Sequence, residues 1–315
     1  MPNSSTKAKP WSRDDIPDLT GKVAIVTGGT GGIGYETTLG LASAGAEVVI
    51  IGRNEEKGKD AVKRMTTTKP AIKVSFVPVD LGNLAAISEF ATKFNARGIA
   101  LDILVNNAGI IGPTTRQTTV DGFEAVFGTN HLAPFALTAQ LLPSLKRSSA
   151  ARVVNVSSGM AGLAKIDFND LQSENKKYSG SGLYAQSKLA NILFTFELQR
   201  RSEANGWNLT AFVVHPGLVK TDMTVVRPGN DSLFTKVVGW TLMPFFSQEP
   251  EDGANSSLFA ATFAEAKSSE FYVPNGFLAM YGPPIAISPP KAAKDLATAE
   301  KLWEVSEQLT KVTWT

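Results

Sequence analysis

The chain has 315 residues, 43% of them hydrophobic, enough for one large α/β domain or two small ones with a sizeable core. Its formal net charge of +2 is spread along the chain and offers no basic patch for nucleic acid. Cysteine is absent, which excludes disulfides, zinc–thiolate sites and a thiol nucleophile and fits a reducing compartment.

Residues 1–18 form a polar extension carrying Pro2, Pro10 and Pro17, without the apolar run of a signal peptide or anchor. No stretch reaches the ~18 apolar residues of a transmembrane helix. The longest apolar patch near a loop, 237–246, is broken by Gly239 and Pro244. A soluble, cytoplasmic protein is expected, with peripheral membrane contact left open. From Lys22 onward, short β-rich runs alternate with helical patterns. A strand at 23–27 enters a glycine turn, and a helix over 33–44 ends at Gly45. Strand 47–51 precedes a helix over 54–65 with Asn54 as N-cap. Strand 74–79 precedes a helix over 83–97. Strand 103–105 ends in Asn106-Asn-Ala-Gly109, and a long helical stretch covers 122–146. Strand 152–156 ends in Ser157-Ser158. A helix over 182–204, strands at 209–214 and 271–273, and a last helix over 292–309 complete the pattern. That last helix places Leu296, Ala299, Leu302, Trp303 and Leu309 on one face for packing. Alternating strands and helices imply βαβ units. The expectation is a single α/β domain over 19–315, a Rossmann-type doubly wound parallel sheet of about seven strands.

Thr27-Gly-Gly-Thr-Gly-Gly-Ile-Gly34 joins a strand to a helix, the context that a dinucleotide-binding turn requires. Gly28, Gly32 and Gly34 let the backbone approach a pyrophosphate, and the helix start near Ile33 aims N–H groups at it. The alternative is a plain strand-to-helix turn. A carboxylate at the end of the second strand would bind the ribose 2′-hydroxyl and repel a 2′-phosphate. Here the chain reads Ile50-Ile51-Gly52-Arg53-Asn54, so Arg53 stands where a phosphate dianion can be paired. That predicts NADP(H) rather than NAD(H), unless Arg53 is merely a solvated first-turn residue. Asp80, after the third strand, is a candidate for the adenine edge.

Tyr184-Ala-Gln-Ser-Lys188 carries the chemistry. On a helix, residues i and i+4 share a face. A free tyrosine titrates near ~10. A lysine ammonium one turn away, together with a positively charged nicotinamide, favours the phenolate and is expected to lower that value. Tyr184 then suits proton exchange with a carbonyl or alcohol oxygen. The competing reading is an amphipathic helix with a surface Tyr and Lys. Tyr178 has Gly182 four residues on and so lacks the lysine partner, which makes it a loop or substrate-contact residue. His131 and His215 are far apart in sequence, match no metal-ligand spacing and read as structural; no metal site is expected.

Together these residues give the chain a resemblance to the short-chain dehydrogenase/reductases, covering about Leu19 to Leu309. The Thr-Gly-three-Gly-one-Gly pattern, Asn106–Gly109 and His215-Pro-Gly-Leu-Val-Lys-Thr221 carry it. The resemblance implies a catalytic tetrad of Asn130, Ser158, Tyr184 and Lys188, with Ser157 the alternative if the register slips by one. It implies cofactor contacts from Thr27, Gly28, Gly32, Ile33, Gly34 and Arg53. Further contacts are implied from Asp80, Leu81, Asn107, Ala108 and Gly109. Tyr184 and Lys188 are to hold the nicotinamide ribose, and Pro216, Gly217, Val219 and Thr221 to receive the carboxamide. Asn130 is to hold a water linking Lys188 to solvent. Within the family, Ile166–Gln172, Tyr184–Phe194 and Leu302–Leu309 resemble the retinol dehydrogenase and WW-domain-oxidoreductase-like branch. No amino-terminal membrane anchor of the kind common in that branch is expected, and the cysteine associated with protochlorophyllide reductases is absent from the sequence. The resemblance implies interconversion of a ketone or aldehyde and an alcohol. A tailoring role on a secondary metabolite and a low-turnover NADP-binding regulator are the alternatives. A lid at 227–249, rich in Leu, Phe, Val, Trp and Met, implies a lipophilic small molecule, or else packing on itself or an oligomer. Homodimer or homotetramer formation through the long helices 122–147 and 182–204 is left open.

Overall fold

The protein is described from a computed structural model over residues 10–220, 247–268 and 270–314. The strands are β1 (Val23–Thr27), β2 (Glu47–Gly52), β3 (Lys73–Pro78), β4 (Ile103–Asn106), β5 (Ala151–Val156), β6 (Leu209–Val214), β7 (Phe271–Pro274) and β8 (Pro284–Ile287). They form one sheet in the order β3-β2-β1-β4-β5-β6-β7-β8. The first seven run parallel, and β8 pairs antiparallel with β7. The inner strands are apolar almost without interruption because both faces are covered, as parallel sheets require. The expectation of about seven strands falls one short. β8 reads Pro-Ile-Ala-Ile, is flanked by proline and lies largely exposed at the sheet edge. It therefore shows no alternation by which a strand is recognised.

Helices α1 (Gly32–Ser43), α2 (Glu55–Thr68), α7 (Pro250–Gly253) and α8 (Asn255–Thr262) lie on one face. On the other lie α3 (Leu84–Ala96), α4 (Ala125–Phe127), α5 (Ala133–Leu145), α6 (Gly180–Asn205) and α9 (Leu296–Thr310). Side-chain caps begin many of them. Asn54 accepts from Lys57 N at 2.9 Å, Asn83 from Ala85 N and Ala86 N, and Ser179 from Gly182 N at 3.2 Å. Asp295 caps α9, so that helix starts four residues later than the periodicity suggests, after a short 3-10 turn at Lys291–Lys294. Leu296 is consequently exposed, whereas Ala299, Leu302 and Trp303 are buried. The stretch predicted as one helix over 122–146 begins only at Ala125 and is widened by a π-turn at Gly128–Leu132.

The α5–α6 face carries an aromatic cluster. Phe135 and Phe194 meet Trp303 and Trp314, and Trp314 stacks on Trp207 at 6.0 Å. The carboxyl-terminal segment thus covers part of the surface that the two long helices offer. At the other end of the chain, Trp11 sits edge-on to Phe259. Arg13 reaches Asn255 Oδ1, Glu36 and the Glu251 carbonyl, tying residues 11–13 to α1, α7 and α8.

A buried polar chain locks the centre of the sheet to its helices. Asn106 Nδ2 donates to Asn155 Oδ1 at 2.8 Å, and Asn155 Nδ2 donates to Thr195 Oγ1 at 3.0 Å. Asn155 and Thr195 are fully buried, so a lost partner stays unsatisfied. We predict that Asn155→Ala costs about 2–4 kcal/mol through two unmade hydrogen bonds and a cavity, seen as a lower urea midpoint at unchanged m-value.

Candidate active site

The strand order reverses between β1 and β4, and in open α/β sheets that crevice, at the carboxyl ends of the strands, takes the ligand. The predicted site residues follow β1 to β6 at that end or lie on the π-turn at Gly128–Leu132 and on α6. Gly28 follows β1 with φ +68°, and α1 starts at Gly32, one residue earlier than expected. A Cβ on Gly34 would stand 2.4 Å from the Gly28 carbonyl and 2.5 Å from Asn107 Nδ2. Asn107 Nδ2 donates to Thr27 O at 2.9 Å, and Ala108 N donates to Thr27 Oγ1 at 2.8 Å. The turns after β1 and β4 are thereby bound into one unit. No side chain caps the first turn of α1, so its leading N–H groups suit an anion. This cradle of bare backbone at a helix start fits a dinucleotide pyrophosphate.

Arg53 is exposed directly beyond the last residue of β2. Asp80 is half-buried and accepts from Gly82 N at 2.9 Å, which shapes the turn after β3. Leu81 packs on the main core beneath it, and Ile33 on the core of the opposite face. Pro216, Gly217 and Val219 follow β6. Thr221 and lid residues 227–246 lie outside the described residues.

The tetrad side chains converge. Tyr184 and Lys188 lie one turn apart on α6, 9% and 3% exposed, with Lys188 Nζ 5.6 Å from the Tyr184 ring centroid. Lys188 Nζ donates to the Val156 carbonyl at the end of β5 at 3.0 Å. Ser157 and Ser158 point differently. Ser157 is buried and donates to the Lys188 carbonyl at 2.7 Å, whereas the Ser158 hydroxyl lies beside the Tyr184 phenol. The π-turn presents Asn130 to the Ile110 backbone. Its Oδ1 accepts from Ile110 N at 2.8 Å, and its Nδ2 donates to Ile110 O and to Ser187 Oγ. A Cβ on Gly109 would sit 3.2 Å from Asn130 Oδ1 and 3.3 Å from Lys188 Nζ, so all three meet at one point.

Burial dominates the electrostatics. It pulls the Lys188 ammonium down to about 8. The Tyr184 phenol moves the opposite way from the expectation. Burial pushes it up, and the Ser158 hydroxyl only partly offsets this. The lysine alone, aimed at the ring and at Val156, does not overcome the desolvation.

Val126 and Leu183 pack in one cluster with Tyr184, and Ile110, Ile111, Met160 and Tyr178 pack against it, an apolar wall. Tyr178 turns its hydroxyl away, donating to the buried Glu124 carboxylate at 3.0 Å. The wall residues come from four segments, with no shared spacing that sequence reading could use. A separate cleft of about 670 Å³ is lined by Trp11, Arg13, Gln248, Asp252 and Tyr281 among others and contains no tetrad residue.

Both histidines are buried and held neutral. Burial takes His131 down to about 4, partly opposed by Asn191, and takes His215 to about 4 with help from the Lys188 charge. His131 contacts Ser306 Oγ at 3.0 Å amid Phe127, Phe135 and Phe194. Since their pKa falls on folding from the ordinary 6.5, the unfolded chain binds more protons between the two values. Their stabilisation is complete above pH 6.5 and is lost as pH falls toward 4. We expect about 1.4 kcal/mol of stability lost per pH unit per histidine in that window, and a shallower acid limb of unfolding free energy against pH in His131→Gln.

The short chain dehydrogenase family profile matches residues 22–230. The chain is 43% identical to human polyprenol dehydrogenase over 254 residues, covering 79% of this chain and 75% of that protein. It is 40% identical to human retinol dehydrogenase 12 over 298 residues, covering 94% and 88%. A crystal structure of a protein from Mycobacterium Paratuberculosis superposes with a TM-score of 0.78 at 34% identity, covering 98% of this chain and all of that one. With the glycine cradle, the sheet order and this breadth of similarity agreeing, the chain belongs to the short-chain dehydrogenase/reductase family, on its retinol dehydrogenase-like branch.

Proposed function

We propose that the protein is an NADP(H)-dependent oxidoreductase that interconverts a carbonyl and an alcohol on a lipophilic small molecule, with Tyr184 as acid and base. One observation carries the reading: Tyr184, Lys188 and Ser158 meet at the sheet end that also bears the glycine cradle. The nicotinamide, when bound, supplies or accepts the hydride. Tyr184 gives the carbonyl oxygen its proton in reduction and takes it back in oxidation. Ser158 donates a hydrogen bond to that oxygen and keeps it near the phenol. Lys188, still mostly protonated at neutral pH with its value at about 8, opposes the burial that raises the phenol. Asn130 braces the loop at Ile110 against α6 and stands next to Lys188, where it suits a proton path through water. Most of the catalysis is placement of acid, carbonyl and hydride in a water-poor pocket.

The apolar wall of Val126, Leu183, Ile110, Ile111 and Met160 supports a lipophilic substrate, as do relatives named for retinol and polyprenol. Arg53 supports NADP(H), standing exposed just past β2 where no carboxylate repels a 2′-phosphate. No helix among the described residues is long and apolar enough to cross a membrane.

Two measurements test the reading. Arg53→Ala is expected to weaken NADPH binding about tenfold, one bidentate charged contact, and to leave NADH binding nearly unchanged. Equal affinity of wild type for both cofactors would remove the NADP assignment. Tyr184→Phe is expected to lower turnover of a lipophilic aldehyde or ketone by roughly 10²–10⁴ while NADPH binding stays within about twofold. Full activity in that variant would sink the assignment of the acid.

A further inference from the structure

Gln248 lies between β6 and β7, at the end of the segment read from sequence as a lid, and it holds the segment after β6 from behind. Its side chain is 7% exposed. Nε2 donates to the Pro216 carbonyl at 2.6 Å, and Oε1 accepts from Gly282 N at 3.1 Å. The reverse orientation of the amide would set donor against donor and acceptor against acceptor, so both bonds select this one. The backbone of Gln248 adds a short parallel pairing. Its N–H donates to Leu218 O at 2.8 Å, and its carbonyl accepts from Lys220 N at 3.1 Å. From the other side, the Met280 carbonyl accepts from Leu218 N at 2.8 Å. Gly217 is squeezed between them at φ +83°. A Cβ there would stand 2.4 Å from Met280 O and 2.8 Å from Gln248 Nε2.

We propose that Gln248 is a positioning residue that fixes the 216–219 backbone for the nicotinamide end of the cofactor; the inference rests on the cofactor reading above. Two rigid groups of opposite polarity, a proline carbonyl and a glycine N–H, face one side chain. Only a primary amide of this length meets both. Leucine satisfies neither, glutamate when ionised cannot donate, and asparagine is one methylene short. Losing the amide leaves the buried Pro216 carbonyl and the half-buried Gly282 N–H without these partners, and the loop relaxes toward others. The glycine cradle after β1, which takes the other end of the cofactor, shares none of these bonds.

The test compares NADPH with adenosine 2′,5′-bisphosphate, the adenosine half of NADPH, which lacks the nicotinamide, its ribose and one phosphate of the pyrophosphate. Binding of each is measured for wild type, Gln248→Leu and Gln248→Glu. Gln248→Leu is expected to weaken NADPH about tenfold or more and the bisphosphate less than about twofold, and Gln248→Glu, which sets a carboxylate oxygen against the Pro216 carbonyl, to weaken NADPH at least as much. Equal weakening of both ligands, or no weakening of NADPH, overturns the proposal. If Gln248→Leu does not fold, Gln248→Glu, of equal length and one bond poorer, carries the comparison. If wild type binds NADH but not NADPH, the NADP assignment fails alone, and the same comparison of NADH with ADP-ribose then decides the role of Gln248. A wild type that binds no nicotinamide cofactor overturns both.

Discussion

Burial of one cation, Lys188, constrains much of this molecule. An ammonium at 3% exposure is costly to desolvate, and its value falls to about 8 in consequence. The fold answers with hydrogen bonds at the end of β5: the Val156 carbonyl receives Nζ, and the hydroxyl of Ser157, the next residue, donates to the Lys188 carbonyl. Those bonds bring α6 down on the end of β5, and that approach places Tyr184 beside Ser158. A Cβ at Gly109 would press on Lys188 Nζ at 3.3 Å and on Asn130 Oδ1 at 3.2 Å. A site built to hold a charge in a dry place also raises the phenol it serves. Under the proposed function, bound cofactor and substrate would change that balance, and the acid would work only in the assembled complex.

A second constraint is local geometry at the loops. The π-turn at Gly128–Leu132 presents Asn130 both to the Ile110 backbone and to Ser187 on α6. Such widened turns recur at functional sites because they reorient one side chain without breaking the helix. Gln248 acts comparably after β6, with one amide bridging two loops. Neither device depends on hydrophobic burial. Both depend on a polar side chain matching fixed backbone groups, and so both act as angular constraints on the loops at the carboxyl ends of the strands.

Legibility varies with the range of the interaction. β1 and β6 lie where their apolar runs predict, because a strand covered on both faces is apolar throughout. The caps at Asn54 and Ser179 act within one turn, and Asn54 is readable for that reason. The start of α9 falls later than its periodicity predicts because Asp295 as a cap outweighs the alanines that precede it. β8 escapes sequence reading because its support is pairing with β7. Spacing predicts a lowered phenol, and the opposite direction emerges from burial, which spacing does not encode.

By itself the sequence determined the alternation of strands and helices, the glycine turn, the one-turn spacing of Tyr184 and Lys188, and the absence of thiol chemistry. All of these follow from local periodicity, from residues without side chains, or from composition. Tertiary structure alone decided which serine meets the phenol, how Asn107 binds the turns after β1 and β4 together, and which apolar residues pack with Tyr184. It alone brought Gln248 to Pro216 across 32 residues of chain. The physical reason is the same in each case. A hydrogen bond or a close contact between distant segments depends on where the packed sheet and helices carry their ends, and no local pattern of residues records that position.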